Sequence, residues 1–136
     1  MRKKIGILQM PCPELTYAGV LRQPQTKDQY NTIMFRSHCR KTAKEIVDQI
    51  QDYAKCGIST EIVIGVDGNP YCGVNETSKG STCKNLSKNE RIKSFGILIE
   101  QLRFALKERK ISIPFYGIRY ERLPEGLANI EKLLED

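Results

Sequence analysis

Cys12, Cys39 and Cys72 are the residues whose type and setting point most directly to chemistry. Their spacings, 27 and 33 residues, match none of the compact C-x-x-C metal ribbons or ferredoxin runs. Setting therefore says more than spacing. Pro11-Cys12-Pro13-Glu14 and Gly68-Asn69-Pro70-Tyr71-Cys72-Gly73 are turn segments in which proline and glycine fix the backbone, as presentation of a metal ligand or a nucleophile requires. Cys39 lies within Arg36-Ser37-His38-Cys39-Arg40. Nearby positive charge, and a helix N-terminus if one starts there, favour the thiolate, which is the form that binds metal. The plain alternative for each is a small buried hydrophobe, a common fate of free cysteine. For Cys39 this is an apolar stripe shared with Ala43, Ile46 and Ile50.

Glu14, two residues beyond Cys12, and Asp67, just ahead of the turn that carries Cys72, are the carboxylates best placed for acid or base work. Asp67-Gly68 is also a routine turn pair whose carboxylate caps local amides. Asn69, Tyr71 and Asn75 are candidates to orient a polar ligand. His38, the only histidine, can carry a proton near neutral pH or sit as an ordinary boundary residue. Cys56, at the end of an amphipathic run beside Gly57, reads as structural; Cys83 reads as a fourth ligand, a sulfur acceptor or a bystander. Neither a G-x-G-x-x-G nor a Walker sequence is present, so the glycines between Gly65 and Gly73 make only a faint case for a phosphate cradle.

The elements that must position these residues follow from pattern. Lys3 to Met10 is a compact apolar run ended by Pro11, which predicts a buried strand delivering Cys12 at its carboxyl end. Ala43, Ile46, Val47, Ile50, Tyr53 and Ala54 repeat at helical spacing before Gly57, predicting a helix over at least Lys41 to Cys56. Glu61 to Val66 is β-branched and breaks at Asp67-Gly68-Asn69-Pro70, a second buried strand ahead of Cys72. Asn75 to Lys88 reads as a long polar loop, and Asn89 to Lys110 as a helix with Ile92, Phe95, Ile99, Leu102 and Leu106 on one face. Ile111 to Tyr120 is a third strand weakened by Pro114, and a terminal helix follows Pro124-Glu125-Gly126. Alternating strands and helices imply right-handed crossovers and a small parallel sheet: an α/β three-layer sandwich, Rossmann-like or flavodoxin-like. In such sheets ligands bind beyond the carboxyl ends of the strands, where Cys12 and Cys72 are expected.

A chain of 136 residues is the size of one ordinary domain, so residues 1–136 are expected to fold as a unit. The 40% hydrophobic and 28% charged content exclude a disordered or fibrous class. The apolar stretch behind Met1-Arg2-Lys3-Lys4 is too short for a secretory signal, and no segment approaches the roughly 18 apolar residues of a membrane span. A cytoplasmic protein is expected. There, five cysteines are an odd and reduced set, which argues against a disulfide framework. The net charge of +6 is dispersed along the chain and reads as surface solvation rather than a nucleic-acid interface.

Cys12-Pro13-Glu14, the segment around Cys39, and Gly65-Val66-Asp67-Gly68-Asn69-Pro70-Tyr71-Cys72-Gly73-Val74 together resemble the short desulfidases related to thiouracil desulfurase. The resemblance implies a [4Fe-4S] cluster held by Cys12, Cys39 and Cys72, with one iron left open, and non-redox removal of sulfur from a thiolated small molecule such as a thiopyrimidine. Where members of that family commonly carry serines in the turn before the last cysteine, this chain has Asn69 and Tyr71. The carboxylate that precedes the middle cysteine in the family has no counterpart here, and Glu14 is the substitute candidate. Two other readings stand beside this one. The first is a cysteine-ligated metal-binding or sulfur-traffic module. The second is a metal-free nucleotide- or nucleoside-binding domain working through Glu14 and Asp67.

Overall fold

The computed structural model describes residues 4–79 and 90–135. Helices α1 (Pro13–Ala18), α2 (Lys27–Tyr30) and α3 (Ile33–Lys55) lead to β1 (Val63–Val66). A pair β2 (Glu76–Lys79) and β3 (Glu90–Lys93) follows, then α4 (Ile97–Glu108), β4 (Phe115–Ile118), a 3-10 turn at Tyr120–Arg122 and α5 (Leu123–Glu135). This is a mixed α/β fold. Its parallel sheet has two strands among the described residues, β1 beside β4 from Val63↔Phe115 to Val66↔Ile118, while β2 and β3 form a separate antiparallel pair.

The core explains the order of elements. On α3, Phe35, Cys39, Ala43, Ile46, Val47 and Ile50 form one buried stripe, and on α4 Ile97, Leu98, Ile99, Leu102 and Leu106 form another. Helical spacing puts each set on one face, and the two faces close on one another with Val63 and Val74. Thr32 starts α3 by accepting the Phe35 N–H on its hydroxyl (3.1 Å), and Gly57 at φ 79° stops it, a conformation that glycine adopts without penalty.

Three expectations are corrected. Residues 4–10 are in no strand and are largely exposed, Ile7 at 93%; an extended segment has no hydrogen bonds of its own and holds shape only where a neighbour takes its amides. The helix expected from Asn89 begins at Ile97, because Glu90–Lys93 pairs instead with Glu76–Lys79, which also gives the start of the expected polar loop strand structure. Ile92 and Phe95 therefore lie outside the helix. The third strand shortens to Phe115–Ile118, with Pro114 just before it accepting the Val63 N–H on its carbonyl (2.9 Å), as suits a residue with no amide to give.

Candidate functional site

Beyond the carboxyl end of β1, two side chains build the turn that carries Cys72. The Asp67 carboxylate accepts the backbone N–H groups of Val74 (2.9 Å), Asn75 (2.8 Å) and Glu76 (3.4 Å) and the Asn75 side-chain amide (2.9 Å). Burial opposes ionisation of Asp67, but these donors outweigh it and hold the carboxyl below its ordinary range. One residue on, Asn69 Oδ1 accepts the N–H groups of Tyr71 (3.0 Å) and Cys72 (3.1 Å), an Asx turn that sets both side chains. Two glycines let other backbone press against it. A Cβ on Gly65 would stand 2.1 Å from the Cys72 carbonyl oxygen, and one on Gly96 would stand 2.3 Å from the Tyr71 carbonyl carbon. Gly96 caps α4, whose Leu98 N–H donates to the Tyr71 carbonyl (3.0 Å).

Cys12 reaches this turn from the other side of the site. It caps α1, its Sγ accepting the Leu15 N–H (3.4 Å), and Pro13 fills the first helical position. The same Sγ lies 3.2 Å from the Tyr71 hydroxyl. Burial pushes the Cys72 thiol up to about 11, a backbone hydrogen bond with Val66 opposes this, and the nearby Cys12 raises it further. Cys12, Tyr71 and Cys72 thus form one half-buried group at the carboxyl end of β1.

Cys39 stands apart. It is fully buried in the second turn of α3, away from the helix N-terminus that was expected to activate it, and burial pushes its thiol up to about 12 against a weaker opposing effect of Arg36. The thiolate-favouring setting expected from Arg36 to Arg40 is therefore overturned by desolvation. His38 ties α3 to α1, its Nε2 lying 2.7 Å from Thr16 Oγ1 with its ring against Tyr17. Cys56 is exposed at the end of α3; Cys83 lies outside the described residues.

Glu14 is buried beside Cys12 and pairs with Arg22 Nε at 2.7 Å. Tyr30, 3% exposed, lies near the same carboxylate; burial first and Glu14 second raise its pKa. Arg22 and Tyr30 were not singled out from sequence, and only the general rule that a buried carboxylate needs a cation signals them. Asn75, a candidate for ligand contact, spends its side-chain amide on Asp67. Neither predicted acid–base carboxylate is free in this arrangement: Asp67 is filled by four donors and Glu14 by Arg22. Two hollows, of about 220 and 420 Å³, lie elsewhere. One is at the amino ends of β1 and β4 and the other beside the end of α4.

Over 135 residues, 99% of this chain and 74% of the relative, the sequence is 29% identical to an uncharacterized protein of Methanocaldococcus jannaschii, MJ0003. No family model matches the chain. No solved structure matches it either.

The donor chemistry decides how far the implied cluster fits. Cys12, against the Tyr71 hydroxyl, and Cys72, the next residue after Tyr71, are soft thiol donors. Among the described residues, however, no three histidine, cysteine, aspartate or glutamate side chains form a metal-holding group, and Cys39 is fully buried in α3. Among the described residues no helix is long and apolar enough to cross a membrane.

Proposed function

We propose that this protein removes sulfur from a thiolated small molecule at the Cys12–Tyr71–Cys72 group, a thiopyrimidine being the substrate class that the sequence resemblance suggests. The observation that supports the reading is the meeting of Cys12 with Tyr71, the residue before Cys72, from two separate segments beyond the carboxyl end of a parallel strand. That is where open α/β sheets place their ligands. A reducing cytoplasm suits free thiols of this kind. The finer fold reading, a Rossmann-like three-layer sandwich, belongs with the same proposal.

An iron–sulfur cluster is the cofactor that goes with this reading, and bound there it would supply an open iron for the substrate sulfur. Cys12, Cys39 and Cys72 are the ligands that go with it. The Tyr71 hydroxyl accepts from the Cys12 thiol, and Asp67 and Asn69 keep that geometry fixed. A second reading, a metal- or sulfur-carrying module without turnover, is favoured by the burial of Cys39 within the α3 core.

Anaerobic reconstitution with iron and sulfide separates the readings. Uptake of about four irons per chain, lost in Cys12→Ser, Cys39→Ser and Cys72→Ser, together with sulfide release from a thiopyrimidine, is the expected result. Iron uptake without sulfide release supports the carrier module. A colourless, iron-free protein overturns the cluster.

A further inference from the structure

The hollow of about 420 Å³ beside the end of α4 combines an apolar floor with a set of cations. Leu106, Ile111, Ile113 and Phe115 make the floor; Leu106 belongs to the core and the other three pack against it. Arg103, Lys107 and Lys110 also line it, and among the described residues no carboxylate does. None of the three cations is in an ion pair among the described residues, although Arg109 on the same helix end holds Asp48 at 2.7 Å.

Cations in the last turn of a helix are ordinary, because they offset the partial negative charge of its free carbonyls. Here two of those carbonyls are already taken. The Lys110 N–H donates to the Lys107 carbonyl (3.1 Å) and the Ile111 N–H to the Leu106 carbonyl (2.9 Å), the pair of bonds that closes a helix when the residue after its cap turns left-handed. That residue is Lys110, at φ 57° the only non-glycine with positive φ among the described residues. Glycine is the residue that suits this position. Backbone geometry therefore selects against lysine here, and its charge is the feature that calls for a role.

Arg103 is held in place by aromatic rings. Its guanidinium carbon lies 4.3 Å from the centre of the Phe95 ring and 4.5 Å from that of Phe115, contacts that attract the cation and fix its plane. Among the described residues its N–H groups meet no acceptor. A planar fork fixed in this way takes the oxygens of a carboxylate or phosphate two at a time.

We propose that this hollow binds a phosphate monoester with an apolar or aromatic body, the body on the Ile111, Ile113 and Phe115 floor and the phosphate among Arg103, Lys107 and Lys110. Three unpaired cations call for more charge than one carboxylate brings. A phosphate monoester is close to doubly charged at neutral pH and offers three acceptor oxygens, and a hollow of this volume suits a small ligand. Phe115 opens β4, so the site lies at the amino end of the parallel pair, whereas Cys12 meets Tyr71 beyond the carboxyl end. The two sites are separate, and this one stands whatever the cysteines do.

Titration of the full chain with naphthyl phosphate, followed by the anisotropy of its fluorescence, tests this, with uncharged naphthol as the control. Wild type should bind the phosphate at least about tenfold more tightly than naphthol. Arg103→Gln should weaken phosphate binding about tenfold. Lys110→Gly should weaken it about three- to tenfold while melting at or above the wild-type temperature, because glycine suits that backbone. Lys44→Gln, an equal loss of charge at an exposed position on α3, should leave affinity unchanged. Equal affinity for the two naphthyl compounds, or an affinity that Arg103→Gln and Lys110→Gly leave intact, overturns the site. A loss in Lys44→Gln as large as in Lys110→Gly reduces the effect to net charge and overturns it as well. Undetectable binding by wild type overturns the small ligand, and self-association that Lys110→Gly removes would then assign the hollow to a second copy of the chain.

Discussion

The Tyr71 hydroxyl lies 3.2 Å from Cys12 Sγ, a contact between residues 59 apart in the chain. Burial, then this hydrogen bond and the charges of the two cysteines, keep the phenol protonated well above its usual range, so the hydroxyl stays in place to accept from the Cys12 thiol at any ordinary pH. Tyr71→Phe removes that acceptor and leaves the ring. With its acceptor gone and the space beside it opened, Cys12 should be alkylated by iodoacetamide roughly three- to tenfold faster, with exposed Cys56 unchanged as an internal reference. An unchanged rate at Cys12 would mean that the hydroxyl does not hold the thiol.

Asp67 and the residues that follow Cys72 form a clamp rather than a proton relay. Asp67→Ala leaves the N–H groups of Val74, Asn75 and Glu76 without their acceptor in a buried turn, at a cost of about 3 kcal/mol, and Asp67→Asn should cost less because one oxygen remains. The folded-state pKa of Asp67 is lowered, so its carboxylate contributes stability above the ordinary value near 3.8. That contribution is lost as pH falls through the lower folded value. Denaturant melts between neutral pH and pH about 2 should show a shallower acid loss for Asp67→Asn than for wild type.

Helix spacing and turn chemistry made α3, the core of α4 and the turn before Cys72 legible, because apolar periodicity and Asp-Gly-Asn-Pro each have a local physical cause. The Lys3 to Met10 run has strand composition, yet whether it pairs depends on a neighbour that no local pattern specifies. Glu90–Lys93 was hidden for the opposite reason. Charged residues at helix-compatible spacing extend the reading of α4 backward, and only the partner Glu76–Lys79 makes them a strand. At the site, proline and glycine around Cys12 and Cys72 marked two presented thiols. The positive neighbours of Cys39 misled, because burial by α4 outweighs Arg36, and burial is a property of the packed fold.

Gly96 should be intolerant of a side chain for reasons specific to the site. A methyl there meets the Tyr71 carbonyl carbon at 2.3 Å and the Cys72 nitrogen at 2.6 Å, backbone atoms that cannot rotate away. Gly96→Ala is expected to cost about 2–4 kcal/mol by thermal melt. The turn should also shift, so that Tyr71→Phe on top of Gly96→Ala changes Cys12 alkylation less than it does alone.

Two buried thiols should make the fold sensitive to alkali. The folded-state pKa values of Cys39, about 12, and Cys72, about 11, stand above the ordinary 9.0, burial being the main cause for both. Below pH 9 both states hold these protons and the full contribution to stability is present. As pH rises from 9 through the folded values, the unfolded chain releases protons that the folded chain keeps, and stability falls, on the order of a few kcal/mol in total. Cys39→Ala should cost about 1–2 kcal/mol at neutral pH by leaving a small void, and then lose less than wild type between pH 9 and pH 11. A variant whose alkaline slope equals that of wild type in denaturant melts would place the titrating thiol elsewhere.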